Sequence, residues 1–77
     1  MRVYPNPAND IVTIDFQGYS GKDKSVIGLY NITGGLIKTQ VINSSLTQVN
    51  ISDLTEGVYI VKVINDNGVA VKRVVKE

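Results

Sequence analysis

Short runs of β-branched residues, separated by turn residues, restrict the folds that this sequence can adopt. Twelve valines and nine isoleucines stand against four leucines and two alanines. Valine and isoleucine suit the pleated surface of a strand, whereas a helical domain favours leucine and alanine. Gly, Pro, Asn, Asp or Ser interrupts the runs roughly every 8 to 12 residues, which is typical of a sandwich or barrel. The pattern predicts a small all-β domain.

Six strands are predicted from the runs, and a seventh if residues 2–4 form one. Residues 58–64 are apolar on both faces except for Lys62, as expected of a central strand. In residues 36–42, Ile37 and Val41 alternate with Lys38 and Gln40, the pattern of a half-buried strand. The six predicted strands are residues 11–17, 25–32, 36–42, 48–51, 58–64 and 69–75.

Turn residues between the runs predict the connections. Residues 33–35 and 65–68 contain the glycine that a tight hairpin uses at positive φ, so each is predicted to join two neighbouring strands. Residues 18–24 are predicted to form a polar loop, and residues 55–57 a turn into the central strand. Residues 52–54 are compatible with a single helical turn capped by Ser52, too short for a packed helix.

The chain lacks the side chains that most metal and catalytic sites need. It has no Cys and no His, which excludes a disulfide framework, a zinc finger, an iron–sulfur site and a His-based triad. Residues 65–68 resemble part of a calcium loop, but the EF-hand register places Val63 and Val74 at ligand positions, so a turn is expected. The net charge of +1 argues against strong binding of nucleic acid. We expect no cofactor, no metal and no small-molecule substrate, and see no case for an enzyme.

Aromatic and basic residues give little further direction. The four tyrosines lie on different predicted elements, which does not favour a sugar-stacking platform. Tyr59 shares a strand face with two valines, so it is expected to pack in the core with its hydroxyl hydrogen-bonded. Lys72, Arg73 and Lys76 give the last strand a basic end, interpreted as a solvated edge that discourages pairing with other chains.

Six motifs in order resemble a known family. They are Val-Tyr-Pro-Asn-Pro-Ala at 3–8, an alternating strand at 11–16, Leu-Tyr-Asn-Ile-Thr-Gly at 29–34, Ile-Ser-Asp-Leu at 51–54, Gly-Val-Tyr-Ile-Val-Lys-Val at 57–63 and Lys-Arg-Val-Val-Lys at 72–76. In order, spacing and coverage they are similar to the type A C-terminal sorting domain of type IX (Por) secretion system substrates. The sequence departs from that family at Asn31, where Asp is frequent, and at Gly35, where a basic residue is frequent.

We expect a small Greek-key or immunoglobulin-like β-sandwich of six to seven antiparallel strands, and the resemblance implies that it serves as an address label. We expect residues 1–77 to be a single sorting domain excised from the C-terminus of a larger exported protein, with Met1 added as an initiator. The resemblance implies transit through the periplasm of a Gram-negative bacterium and passage through an outer-membrane translocon. At the cell surface, a sortase-like protease would remove the domain and leave the cargo attached or secreted.

The resemblance also marks sorting or recognition residues in four places: before the first long strand, in the first hairpin, at the start of the central strand and on the last strand. A structural role is the alternative for each, because glycines serve turns and valines fill cores in any sandwich. The marked residues are Pro5, Asn6, Pro7, Gly34, Gly57, Val58, Tyr59, Lys72 and Val74.

Two other functions stay open at this point. A fibronectin- or immunoglobulin-like accessory module that binds carbohydrate would show an exposed aromatic strip, yet only 6% of the residues are aromatic. A structural spacer would continue into another domain, whereas this sequence stops at Glu77, just after a basic strand. An isolated domain of this kind also has strand edges through which a homodimer can form.

Overall fold

In the part of the chain that the structure describes, seven strands form where the β-branched runs lie. The computed structural model describes residues 2–16, 25–42, 44–65 and 68–77, and these ranges contain no helix. Every predicted run forms a strand whose described ends lie within two residues of the prediction, whereas Gln17 and the predicted loop 18–24 lie outside the described residues. The strands are β1 (Arg2–Tyr4), β2 (Ile11–Asp15), β3 (Ser25–Asn31), β4 (Leu36–Ile42), β5 (Leu46–Asn50), β6 (Gly57–Asn65) and β7 (Gly68–Lys76).

The strands pair into two antiparallel sheets. Sheet one has the order β1-β2-β5, and sheet two has the order β4-β3-β6-β7. The chain crosses between the sheets after β2, β4 and β5, so β5 pairs with β2 and β6 pairs with β3. These pairings between distant strands are of the Greek-key kind. The predicted all-β sandwich of antiparallel strands is confirmed, and β6 is an interior strand as predicted.

The core lies between the inward faces of the two sheets. Burying one valine, leucine or isoleucine side chain stabilises the fold by about 1.5–3 kcal/mol relative to leaving it in water. Because β2, β3 and β6 are interior strands, they supply most of this buried surface. The largest fully buried apolar side chains are Ile14, Ile27, Leu29, Ile51, Val12, Val61, Val63 and Val74.

Strand β4 departs from the predicted alternation. Val41, on the face expected to be apolar and buried, is 64% exposed. Lys38 lies opposite the buried Leu29 and shares its inward face. Gln40 likewise lies opposite the buried Ile27. Ile37, on the same expected face, does pack against the core, and it lies at a register shift in the β3–β4 ladder. Beyond this shift the pattern fails, because the inner face of this edge strand carries polar side chains that bond to the neighbouring sheet.

The predicted hairpins form, and the predicted helical turn does not. Strands β3 and β4 are joined through residues 32–35, and β6 pairs with β7 up to Asn65 opposite Gly68. Residues 66 and 67 of that second hairpin lie outside the described residues. Residues 52–54 form a turn in which the Leu54 N–H donates to Ile51 O at 3.0 Å. The Leu54 side chain packs against the core, which favours this turn over a solvated helical one.

Candidate recognition surface

The segment before β2 is hydrogen-bonded to the outer edge of β7. Asn6 uses both ends of its amide: Oδ1 accepts from the Val75 N–H at 3.0 Å, and Nδ2 donates to Arg73 O at 3.3 Å. The backbone of Ala8 continues the pairing. Its N–H donates to Val75 O, and its carbonyl oxygen accepts from the Glu77 N–H, each at 2.8 Å. We call these four bonds the clasp, and they join the first residues of the domain to the last.

Local sequence places the clasp residues. Pro5 and Pro7 flank Asn6 and take no part in a strand ladder, because proline has no N–H to donate; both X–Pro bonds are cis. Ala8 is only 1% exposed, belongs to the hydrophobic core and forms a parallel bridge with Lys76. The small buried methyl group therefore anchors the segment, and the exposed Asn6 amide adds two bonds that only an amide of this length can make together.

The structure gathers most of the predicted recognition residues at the clasp end of the sandwich. Gly57, Val58 and Tyr59 of β6 lie opposite the residues of β7 that the clasp engages. The β3–β4 turn with Gly34 lies at the same end, because β3 ends opposite Tyr59. Lys72 lies further along β7, opposite the buried Val61. Sequence reasoning singled out Asn6 and the last strand separately and did not find that they are bonded to each other.

Several of the predicted residues have structural roles that account for them. The Tyr59 ring is 7% exposed, and its hydroxyl donates to Thr55 O at 2.7 Å, so its predicted core role with a bonded hydroxyl is confirmed. Val74 is fully buried beside it. Gly34 has φ of +94° in the hairpin turn, and Gly57 has φ of +154°, both in the region that favours glycine. These residues support the packing and turns beneath the surface around the clasp.

A cleft lies beside the clasp, where β1 of one sheet faces β7 of the other. Its volume is about 330 Å³, and it is lined by Arg2, Val3, Tyr4, Asn6, Lys72 and Arg73. Three of these six residues are basic and none is acidic. The Arg2 guanidinium lies 5.2 Å from the centre of the Tyr4 ring. Such a lining concentrates positive potential and attracts anionic groups.

Arg2 and Tyr4 are the functional candidates that sequence reasoning missed. Strand β1 is three residues long and pairs only with β2, so no sequence pattern connects it to β7. The available signal was the presence of basic residues near both ends of the chain, at Arg2 and at Lys72 with Arg73. That signal becomes informative only when the fold brings the two ends to one side of the sandwich.

The opposite side of the sandwich is closed by side chains of β4. The Lys38 ammonium donates to Asn50 O and to Asp53 Oδ1, each at 2.7 Å, and Gln40 Nε2 donates to Gln48 O at 3.2 Å. The Lys38–Asp53 contact is the one ion pair found among the described residues. The hydrogen bond from Lys38 lowers the pKa of Asp53 below its usual value. Polar side chains on the inner face of β4 thus cover the free edge of β5.

Other kinds of site find no support within the described ranges. No three Cys, His, Asp or Glu side chains there are grouped closely enough to hold a metal ion. Over the same ranges, no helix has the length and apolarity needed to cross a membrane. Tyr4 belongs to sheet one, whereas the Tyr30 ring lies on sheet two with the Lys62 ammonium 4.7 Å from its centre. These two tyrosines do not form one aromatic strip, and Tyr19 lies outside the described residues.

The family comparison covers the chain almost from end to end. The sequence profile of the secretion system C-terminal sorting domain family matches residues 2–77. The chain belongs to the type IX secretion C-terminal sorting domain family. No curated protein sequence matches the sorting domain. Members of this family are sorting signals rather than catalysts, engage the type IX machinery, and mark proteins for the cell surface or secretion in Gram-negative bacteria.

The two departures of this sorting domain from its family occupy one turn. Asn31 Oδ1 accepts hydrogen bonds from the Thr33 N–H at 3.1 Å, the Thr33 hydroxyl at 2.7 Å and the Gly35 N–H at 2.7 Å. An aspartate oxygen at position 31 would accept the same bonds. A Cβ at Gly35 would lie 2.9 Å from Asn31 Nδ2, so a basic residue there requires the Asn31 side chain to move. The departures therefore alter this turn and leave the clasp unchanged.

Proposed function

We propose that the sorting domain lies at the C-terminus of a larger cargo protein and directs its export. We further propose that the export machinery recognises the folded domain through the surface around the clasp and β7. The cargo crosses the periplasm, the domain engages the outer-membrane translocon, and a sortase-like protease removes the domain at the cell surface. Family membership supports the sorting role, and the fold supports reading in the folded state.

The observation that carries the proposal is the clasp. Asn6 and the backbone of Ala8 occupy the C-terminal half of the β7 edge, so residues from both ends of the domain form one continuous surface. A linear signal would need no such contact, because an unfolded tail presents its residues in any conformation. A surface built from two distant segments favours machinery that recognises a folded domain.

The predicted recognition residues divide into two groups on this view. Pro5, Asn6, Pro7 and Lys72 are exposed and are proposed to contact the machinery directly. The other members are buried, half-buried or required at a turn, and are proposed to hold that surface in shape; they are Gly34, Gly57, Val58, Tyr59 and Val74.

The experiment is an export assay with a carrier protein that has an N-terminal signal peptide. Fused in front of residues 2–77, the carrier is expected at the cell surface or in the medium of a host with type IX secretion. The same carrier without the domain is expected to stay in the periplasm. A third fusion that ends before β7 should behave like the carrier alone. Surface delivery of the carrier alone, or of the fusion that ends before β7, would contradict the proposal.

Recognition of the fold is tested separately with point variants. Val74→Asp places a charge in a fully buried position and is expected to unfold the domain and abolish export. Val69→Asp makes the same change at a site that is 60% exposed on the same strand, and is expected to leave the fold intact. Circular dichroism on the purified domains verifies this difference. Normal export of the unfolded Val74→Asp fusion would show that a linear signal is sufficient.

A further inference from the structure

The two lateral sides of the sandwich place a lysine in corresponding positions with different surroundings. On the β4–β5 side, Lys38 points inward from an edge strand opposite the buried Leu29, and it meets the Asp53 carboxylate and a backbone carbonyl at 2.7 Å. On the β1–β7 side, Lys72 points inward from the other edge strand opposite the buried Val61. Among the described residues, Lys72 has no carboxylate or carbonyl partner.

The cleft around Lys72 is lined by three positive charges. Arg2 and Arg73 line it together with Lys72, and none of the residues lining it is acidic. Asp15 lies opposite Arg2 in the β1–β2 ladder but forms no ion pair with it. An anionic group entering the cleft would therefore find cations that form no ion pair with any carboxylate among the described residues.

The edge of β7 beside the cleft has free backbone groups. In an antiparallel ladder, alternate residues direct their N–H and C=O groups away from the partner strand. The backbone N–H and C=O of Val75 point away from β6, because both are bonded in the clasp. The backbone groups of Val69, Val71 and Arg73 therefore point away from β6 as well. The clasp uses Arg73 O, and within the described residues the N–H groups of all three and the carbonyls of the two valines have no partner.

We infer that this cleft and the free edge of β7 together bind an extended acidic segment of a protein in the export machinery. The inference rests on the proposed function and names the chemistry of the partner. A strand added to β7 along Val69–Arg73, a length of about 13 Å, would satisfy the free backbone groups. A carboxylate on its inward face would meet Lys72 in the way that Asp53 meets Lys38. The clasp ends the free edge at Arg73 and so fixes where the added strand stops.

Binding is tested on the whole 77-residue domain with a defined peptide. The probe is a blocked seven-residue peptide of alternating valine and glutamate, and the control peptide has glutamine in place of glutamate. In ¹⁵N NMR titrations, the amides of Val69, Val71 and Arg73 are expected to shift and to exchange more slowly with solvent. Loss of two or three exposed charge contacts should weaken binding of the glutamine peptide about tenfold. Equal affinity for the two peptides, or shifts confined to other strands, would overturn the inference.

Variants of the domain separate charge from edge pairing. The double variant K72E/R73E is expected to weaken the acidic peptide at least tenfold, whereas Lys76→Glu, a charge reversal outside the cleft, should change affinity less than threefold. Val71→Pro removes an outward N–H without breaking the β6–β7 ladder, and it should abolish the edge shifts. If Lys76→Glu weakens binding as much as the cleft variant, only net charge is being measured and the inference fails.

Other occupants of the surface are distinguished in the same samples. Inorganic phosphate serves as a competitor of the peptide. If phosphate displaces the peptide, and the bound peptide itself causes no shift of the β7 edge amides, the cleft is a simple anion pocket and the inference is overturned. Sedimentation equilibrium tests a second copy of the domain as the occupant. Dimerisation that is lost in Val71→Pro, at concentrations where the acidic peptide does not bind, would assign the edge to self-association instead.

Export assays separate failure of this inference from failure of the proposed function. Carrier fusions with K72E/R73E are expected to reach the surface at one tenth or less of the level seen with the unmodified domain. Normal export of the cleft variant, while deletion of the whole domain still traps the carrier, would overturn the inference and leave the proposed function standing. Normal export after deletion of the whole domain would refute the proposed function itself.

Discussion

Replacing Asn6 with alanine removes half of the clasp and leaves the sheets unchanged. The variant loses the 3.0 Å bond from the Val75 N–H and the 3.3 Å bond to Arg73 O, while both backbone bonds of Ala8 remain. A hydrogen bond within a protein contributes about 0.5–1.5 kcal/mol net. Asn6 is exposed, so water can replace it at both partners, and the 3.3 Å bond is long. We expect the free energy of unfolding to fall by about 1–1.5 kcal/mol.

A loss of this size is readily measured in a domain of 77 residues. Domains of this length have unfolding free energies of about 4–12 kcal/mol. The midpoint of thermal unfolding should fall by about 4–8 °C for each kcal/mol lost. Urea unfolding followed by circular dichroism gives the change directly. Hydrogen exchange at the Val75 amide gives a local measurement, because this amide loses its acceptor and should exchange faster than its neighbours.

The matched control is Asn9→Ala, which removes the same amide from an exposed position that makes no side-chain hydrogen bond among the described residues. Its effect should stay within about 0.5 kcal/mol. Asn6→Asp keeps an acceptor for the Val75 N–H and loses the donor, so it should be intermediate. If Asn6→Ala unfolds at the same urea concentration as the control, or if Val75 exchange is unchanged, the side-chain half of the clasp contributes no stability.

Three further predictions follow from the core and from the closed side of the sandwich. Ile14→Ala, at a position with no exposure, should lower the urea-unfolding free energy by about 2–5 kcal/mol; a loss no larger than that of Ile11→Ala, a site 43% exposed, would contradict the assigned core. Tyr59→Phe should cost about 1–2 kcal/mol in the same assay, because it leaves a part-buried carbonyl without its donor, and an unchanged midpoint would refute that role. Lys38→Met should raise the pKa of Asp53 toward its usual value in a ¹³C NMR titration, because the Lys38 hydrogen bond lowers this pKa in the folded state. The stability that this bond contributes is present above the pKa of Asp53 in the unfolded chain and is lost as the pH falls through its pKa in the folded domain. An unchanged pKa in the variant would show that Lys38 does not cause the shift.

The strands were predictable because their burial follows directly from local alternation. Val12 and Ile14 alternate with polar neighbours on β2, and both are fully buried as the pattern indicates. On β4 the same rule held for Ile37, which packs against the core, but it failed for Val41, which points to solvent, and for Lys38, which points inward. Alternation reports that a strand has two different faces. It does not report which face meets the core when the strand lies at an edge and its polar residues bond to the other sheet.

The candidate surface was predictable only in parts. Pro5-Asn6-Pro7 and Lys72 were marked by family resemblance, but no local pattern pairs them. Asn6 bonds to Arg73 and Val75, which follow it in the sequence by 67 and 69 positions. Ala8 carries two of the four clasp bonds through its backbone, and a backbone contact leaves no signature in a single sequence. The contribution of Arg2 required knowing that β1 and β7 lie on the same side of the sandwich.

The clasp has a consequence for when a precursor becomes ready for export. Its bonds involve Arg73, Val75 and Glu77 on one side and Asn6 and Ala8 on the other. A chain still on the ribosome, or one whose synthesis stopped before β7, has the first group of contacts missing. Machinery that reads the joined surface would therefore leave behind any precursor whose sorting domain is incomplete or unfolded. On the proposed function, a formed clasp would then report that the sorting domain has been completely synthesised and folded, without a separate factor that inspects it.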